Sequence, residues 1–248
     1  MLNLNTKIIG KKVIYLQEVD STNEFAKKIA PQEKEGTVIV ADVQTRGKGR
    51  KLRAWSSPRG GLWMSVILKP DVHPQHITKL VFISALAVVE TLAEFGIKGK
   101  IKWPNDVLVN EKKICGILSE GKYLESRVEY VILGIGLNVN NELPKELKNT
   151  ATSMREVLGH DVSLVEVVKN LFNKLDKWYL EFLKGNHNKI LDSWRMHSTV
   201  IGKNVRIITD EGEIIGVVVD IDEDGALIIK QNGILRKIYY GDVSLRFA

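Results

Sequence analysis

"KWPNDVLVNEKKICGILSEG", residues 102–121, decides the reading of the fold. Within it "DVLV" and "KICGIL" are apolar runs on either side of "NEKK", the pattern of a β-hairpin. Pro104 stiffens the chain, and Asn105 and Asp106 present an amide and a carboxylate immediately before the first strand. Lys113 follows the turn at the rim of the second strand, a position from which an ammonium reaches phosphate oxygens or simply faces water. Downstream, "EYVILGIGLNVN" (129–140) reads as a buried strand. Its Gly134 and Gly136 mark either close approach of a ligand or packing against another backbone, and it ends on polar Asn138.

Upstream, "DSTNEFAKKIAP" (20–31) has the signs of a helix: Ser21 and Glu24 are spaced as a capping box, Phe25, Ala26, Ile29 and Ala30 supply an apolar face, and Pro31 marks the end. "GTVIVADVQ" (36–44) and "GGLWMSVIL" (60–68) are buried strands, which makes the segment between them a loop. From Ile77 to Phe95 the apolar residues recur at helical intervals, with Gly96 placed to stop the helix. A second capping box, Ser163 with Glu166, opens an amphipathic helix that runs to Gly185. Strands and helices therefore interleave in a layered α/β or α+β domain, taken here as α+β. Beyond about Ser198 the chain turns to short β-rich runs separated by "DEG", "DEDG" and "QNG", as in a small β-barrel appended to the main domain. The division is set at 190/191, with residues 1–190 forming the larger domain and 191–248 the smaller.

The composition is that of a folded globular chain: 44% hydrophobic and 27% charged residues exclude wholesale disorder. One cysteine, Cys115, excludes an intramolecular disulfide framework and suits a reducing cytoplasm; in an apolar run it reads as a core residue rather than a nucleophile. No apolar run is long enough to cross a bilayer, and the start lacks a signal-peptide pattern, so neither membrane nor secretion is expected. His73 and His76 have no accompanying metal-ligand spacing, and there is no G-x-S-x-G elbow, so zinc and serine-triad chemistry lack support.

The net charge of +6 has a local focus in "QTRGKGRKLRAW" (44–55), where five of the eight residues from Arg46 to Arg53 are basic. Gly47 and Gly49 let backbone N–H groups approach an anion, while Lys48, Arg50 and Arg53 add charge-assisted hydrogen bonds. The spacing is not that of a P-loop, and charge alone equally suits a solvated loop or a nucleic-acid surface. Trp55 closes the loop, either as a stacking platform for a purine or as a core residue.

Taken together, "DSTN" (20–23), the basic loop ending in Trp55, "SPRGGLWMSVIL" (57–68), "KWPNDVLVNEKKICGIL", "LGIGLNVN" and the closing "YGDVSLRF" (240–247) resemble the biotin protein ligase family, the biotin–[acetyl-CoA-carboxylase] ligases. The likeness spans nearly the whole chain in the family's order, and resembles its short class without an N-terminal DNA-binding domain. It implies a mixed sheet flanked by helices, of the class II synthetase type, and a C-terminal SH3-like barrel. It also implies a two-step reaction: biotin and Mg-ATP give biotinyl-5′-adenylate and pyrophosphate, then a lysine of a biotin carboxyl carrier protein displaces AMP.

The resemblance assigns roles by position. Lys113 and Arg50 are the catalytic cations, at the biotin carboxylate and the phosphate. Ser21, Thr22, Asn23, Gln44, Gly47, Lys48, Trp63, Gly116, Gly134 and Gly136 join them around biotin. Arg53, Trp55, Asn105, Asn138 and Arg246 join them around ATP, and Asp106 serves Mg²⁺. The basic loop becomes a lid over one small molecule, excluding water from a hydrolysable adenylate. Where the family usually has a small residue, arginine, glycine and lysine, this chain has Arg46, Lys48, Leu52 and Ala54. A homodimer is expected, with "KYLESRVEYVIL" (122–133) as one possible edge, and no nucleic-acid partner. The rival of related fold is a lipoate or octanoate ligase or transferase; the rival of another class is a nucleic-acid-binding protein.

Overall fold

The computed structural model describes residues 4–210 and 212–244. The elements of the larger part run β1 (Val13–Val19), α1 (Thr22–Ile29), β2 (Val38–Gln44), β3 (Leu62–Leu68), α2 (Lys79–Glu94), β4 (Lys100–Lys102), β5 (Asp106–Val109), β6 (Lys112–Leu124), β7 (Arg127–Leu137), α3 (Met154–Leu158), α4 (Leu164–Leu183) and α5 (His187–His197). Seven strands form a mixed sheet in the order β1-β2-β3-β7-β6-β5-β4. β1 and β2 are parallel and the other neighbours antiparallel.

Alternation along the central strands sends side chains to two faces. Val66, Leu68, Val131, Leu133 and Ile135 join the large core with α2 and α4, while Ile67, Ile132 and Ile39 pack with Ala26 of α1 and its C-cap Ala30 on the other face. β3 is buried along its whole length, as its apolar run, interrupted only by Ser65, requires. On the α1 face β7 presents Ile132, then Gly134, then Gly136. Beyond the N-terminus of α1 the sheet surface is therefore bare, and a cavity opens there.

Two expectations are corrected. Ser21 is the N-cap of α1, yet its side chain makes no capping bond and Glu24 turns instead to Lys27 and Lys48, so this capping box is not formed. Ser163 does cap α4, accepting from Glu166 N–H. Second, Pro74–Glu94 is long and apolar enough by composition to cross a bilayer. In the structure it is mostly buried, because α2 is covered by the sheet, α4 and α5.

The smaller part comprises β8 (Asn204–Thr209), β9 (Gly212–Ile221), β10 (Leu227–Gln231), β11 (Ile234–Ile238) and β12 (Asp242–Ser244), an antiparallel sheet ordered β11-β10-β9-β8-β12. It has the strand content of a small barrel-like unit; β11 and β12 are not paired with each other among the described residues. Of the hairpin signals, "DEDG" lies between β9 and β10 and "QNG" between β10 and β11, where Asn232 and Gly233 both have positive φ; "DEG" includes residue 211, outside the described residues. Residues 190 and 191 both lie within α5. The two parts share a core, and Trp103 Nε1 donates to Gly225 O at 3.0 Å while Arg195 Nε meets Asp220 at 2.7 Å. "KYLESRVEYVIL" forms the far end of the β6–β7 hairpin, in the middle of the strand order; β6 pairs with β5 only as far as Gly116.

Candidate functional site

The cavity has a volume of about 1050 Å³ and runs from the N-terminus of α1, across the bare face of β6 and β7, to the junction with the C-terminal sheet. Its floor is two glycines. Gly116 and Gly136 are cross-strand partners, and a Cβ on Gly136 would stand 2.5 Å from Trp55 Nε1, one on Gly116 3.1 Å from both Trp55 Cζ3 and Lys113 Cε. The indole therefore lies on the sheet where side chains are missing. Lys113 Nζ is 5.0 Å from the centroid of that ring and 2.6 Å from Asp106 Oδ1. This places a cation, an aromatic plane and a carboxylate together at the middle of the cavity.

At the α1 end the lining is neutral and hydrogen-bonded. Gln44 Oε1 accepts from Thr22 N–H (2.8 Å) and from Thr22 Oγ1 (3.0 Å), and Gln44 Nε2 donates to Ser57 Oγ at 2.8 Å. Ser65 Oγ lies 2.7 Å from Thr22 Oγ1 and 2.5 Å from Asn23 Oδ1. Asn23 Nδ2 donates to Glu120, which also pairs with Lys27. A Cβ on Gly134 would meet Asn23 Oδ1 at 2.3 Å, so that glycine admits the network. Ser21, Thr22, Asn23 and Gln44 all line this end, as does Gly134.

The opposite end is charged, and among the described residues every cation of the basic loop except Arg46 has a side-chain partner. The loop is a small hairpin closed by Gly49 N–H to Arg53 O and Trp55 N–H to Gly47 O. Lys48 pairs with Glu24 of α1, and together with Lys27 it holds the Glu24 carboxyl below its ordinary range. Arg50 donates to Gly241 O at 3.2 Å and to Asn105 Oδ1 at 3.3 Å; Arg53 pairs with Asp242, and Lys51 with Asp210 at 2.6 Å. The loop thus clasps α1 to the C-terminal sheet across the cavity. At its tip Lys51 and Leu52 have φ of 52° and 58°, the left-handed region that favours glycine, and Leu52 is 85% exposed.

The structure gathers Lys48, Arg50, Arg53, Trp55, Asn105, Asp106, Lys113, Gly116, Gly136 and Asn138 on this one cavity. Asn138 is nearly fully buried and its amide is engaged with Thr152 O and Asn141, so it frames the site. Trp63 and Gly47 lie outside the lining. Trp63 is completely buried, donates to Pro58 O and meets Trp55 edge-on at 6.5 Å; a Cβ on Gly47 would meet Trp55 O at 2.4 Å. Both therefore stand behind Trp55. Arg246 is outside the described residues. Burial pushes the Cys115 thiol up, away from nucleophilic use.

The sequence reading missed four lysines in the lining: Lys98, Lys100, Lys102 and Lys203. Three of them alternate in "KGKIK" (98–102), a period-two signal for one face of a strand. Ser65 and Glu120 were also missed, since nothing local ties them to the α1 end.

Comparison with known proteins identifies the family. The family model described as "Biotin/lipoate A/B protein ligase family" matches residues 14–138, and that described as "Biotin protein ligase C terminal domain" matches 200–246. The bifunctional ligase/repressor BirA of Bacillus subtilis (strain 168) is 39% identical over 248 residues, covering 98% of this chain and 76% of that protein. The biotin–[acetyl-CoA-carboxylase] ligase of Paracoccus denitrificans is 30% identical over 222 residues, 87% of this chain and 92% of its own length. Among solved structures, the biotin protein ligase from Aquifex aeolicus in complex with biotin and ATP superposes with a TM-score of 0.81 at 34% identity, over 96% of this chain and 100% of that one.

Proposed function

The chain belongs to the biotin/lipoate A/B protein ligase family, and on that premise we infer that it is a biotin protein ligase. A biotin carboxylate oxygen attacks the α-phosphorus of ATP, the bond to the β-phosphate oxygen breaks, and pyrophosphate leaves. The neutral amine of a lysine on a biotin carboxyl carrier domain then attacks the acyl carbon, AMP departs, and the amine loses its proton.

The observation that carries this reading is Lys113, held between Asp106 and the face of Trp55 at the centre of the cavity. Two anions must meet there, and a fixed cation offsets their repulsion and stabilises charge developing at the phosphorus. Swinging about its flexible stem, Lys113 exchanges Asp106 for the carboxylate and α-phosphate. Arg50 adds a second cation from the lid side. Trp55 offers its face to adenine. The hydrogen-bonded end built by Thr22, Asn23, Gln44 and Ser65 suits the ureido ring of biotin, which has donors and acceptors, and not the dithiolane of lipoate, which has none.

Mg²⁺ fits as a companion of ATP. Asp106 offers one carboxylate, and among the described residues no three His, Cys, Asp or Glu side chains converge as a resident site requires. When bound it supplies charge neutralisation to the departing phosphates. Cytoplasmic placement suits the free, buried Cys115, and the edge of β6 beyond Gly116 is where two copies would pair as a homodimer.

Biotin-dependent exchange of labelled pyrophosphate into ATP tests the reading. Exchange with biotin and none with lipoate is expected; exchange with lipoate alone overturns it.

A further inference from the structure

Behind the α1 end stands a carboxylate outside the cavity lining. Glu120 lies on β6, on the same face as Gly116 and Leu118. One of its oxygens meets Lys27 Nζ at 2.6 Å and the other accepts from Asn23 Nδ2 at 2.8 Å. Asn23 descends from α1 onto Gly134, and Ser65, the β3 partner of Gly134, meets the other side of its amide. The amide is thus held between a carboxylate and a hydroxyl, and its orientation is decided there. A carboxylate paired with a lysine only accepts, so Nδ2 must turn to Glu120 and Oδ1 to Ser65.

That orientation leaves the wall of the cavity one hydrogen short. From Asn23 the row runs Oδ1 to Ser65 Oγ (2.5 Å), Ser65 Oγ to Thr22 Oγ1 (2.7 Å) and Thr22 Oγ1 to Gln44 Oε1 (3.0 Å). Gln44 supplies no hydrogen to it, because Thr22 N–H holds Oε1 on this side at 2.8 Å while Nε2 is engaged with Ser57. Three contacts therefore share the two hydroxyl hydrogens of Ser65 and Thr22. If both point toward Gln44, Asn23 Oδ1 faces Ser65 Oγ bare. If both point toward Asn23, the bare pair is Thr22 Oγ1 and Gln44 Oε1, and these two residues line the cavity. A ligand N–H donating there completes the row. With the Asn23 amide the other way round, Nδ2 would donate to Ser65, every contact would be filled, and a ligand N–H would meet no bare pair.

We propose that Glu120 is a positioning residue for ligand recognition: by fixing the Asn23 amide it keeps this row one hydrogen short, and so sets the α1 end to take an N–H donor such as a ureido nitrogen of biotin. The proposal rests on the ligase reading above. A site built short of a donor favours ligands that bring one and rejects those that do not, because without the N–H two buried oxygens stay opposed. A dithiolane brings none.

The test reverses the polarity while keeping the ion pair. In Lys27→Glu/Glu120→Lys the tie between α1 and β6 is retained and Glu24 keeps Lys48, but the ammonium at 120 donates to Asn23 Oδ1 and turns Nδ2 to Ser65. In biotin-dependent ATP–pyrophosphate exchange the KM for biotin is expected to rise about tenfold or more, with kcat and the KM for ATP within about twofold of the parent. Adding Asn23→Asp restores an acceptor toward both 120 and Ser65, and is expected to lower the biotin KM again by about threefold or more. An isosteric cycle keeps the proposal testable if the swapped chain does not fold. There Asn23→Asp alone sets two carboxylates face to face and raises the biotin KM, and Glu120→Gln added to it, donating to the new carboxylate, lowers it. An unchanged biotin KM in the swapped chain overturns the proposal. So do equal rises for biotin and ATP, or no recovery in either combination, which would leave Glu120 as a tie between α1 and β6. Failure of the ligase reading itself shows separately, as absence of biotin-dependent exchange in the parent.

Discussion

Gly134 and Gly136, two residues apart on one strand, hold open different halves of the cavity, and that separates their effects. A methyl at Gly136 collides with the Trp55 indole, whereas one at Gly134 collides with the Asn23 amide. Calorimetry is expected to show Gly136→Ala weakening ATP more than biotin and Gly134→Ala weakening biotin more than ATP; the reverse order would exchange the two ends of the site. Lys113→Ala removes the central cation and leaves Asp106 facing the incoming phosphate. Single-turnover adenylate formation is expected to fall at least about tenfold, equivalent to about 1.4 kcal/mol of transition-state stabilisation. At this scale the sequence singled out side chains that share one cavity, but not their neighbours. "KWPND" and "KKICGIL" put Asp106 and Lys113 on two strands of one hairpin, yet their ion pair depends on the hairpin register, which shifts between Val107 and Leu108. Trp63, in an apolar run like any other, is a support for Trp55 because the sheet buries it completely.

Among the elements, α2 and α5 meet at a cluster of titratable groups that no local pattern foretold. Lys79 is almost wholly buried, 3.2 Å from His76 Nδ1, and the rings of His76 and His187 are 4.4 Å apart. Burial, then the Lys79 charge, holds both imidazoles below their ordinary value of 6.5; His73 adds to the repulsion at His76, while Asp224 and Glu223 of the β9–β10 turn oppose it. An unfolded chain therefore binds more protons than the folded one just below pH 6.5, and stability falls as pH drops through that window. Thermal melts are expected to show a lower Tm at pH 5.5 than at pH 7.5, with the drop smaller in His187→Gln; an equal drop in both would remove His187 from the effect. The central strands and long helices were legible because their apolar periods are strong, whereas β1 and the three-residue β4, both partly exposed, went unread. So did α5, since "HNKILDSWRMH" is mostly polar and buries only Ile190, Leu191 and Trp194. The capping residues were half legible: Ser163 caps α4, while the Ser21 side chain makes no capping bond and Glu24 is drawn to lysines.

For the whole molecule, the order of the central strands and long helices and the β-rich character of the C-terminal tail could be read along the chain, because each rests on local patterns. The distribution of charge could not. The basic loop is the densest run of cations in the sequence, yet among the described residues its cations except Arg46 pair with groups of α1, Asn105 and the C-terminal sheet, while Lys98, Lys100, Lys102 and Lys203 line the same cavity from segments with no such run. Which cation is satisfied depends on carboxylates such as Asp210 and Asp242, far away in sequence. The result is a cavity that is neutral and hydrogen-bonded at one end and lined by largely ion-paired cations at the other, with an aromatic plane between. Such a site should hold its reactive product. Incubation with biotin and ATP, removal of free ligand and mass spectrometry under native conditions measures this directly. The mass of the chain plus biotinyl-5′-AMP, lost again on adding a carrier domain, is the predicted result. A chain that emerges unliganded, and releases no pyrophosphate in the presence of biotin, would contradict the account.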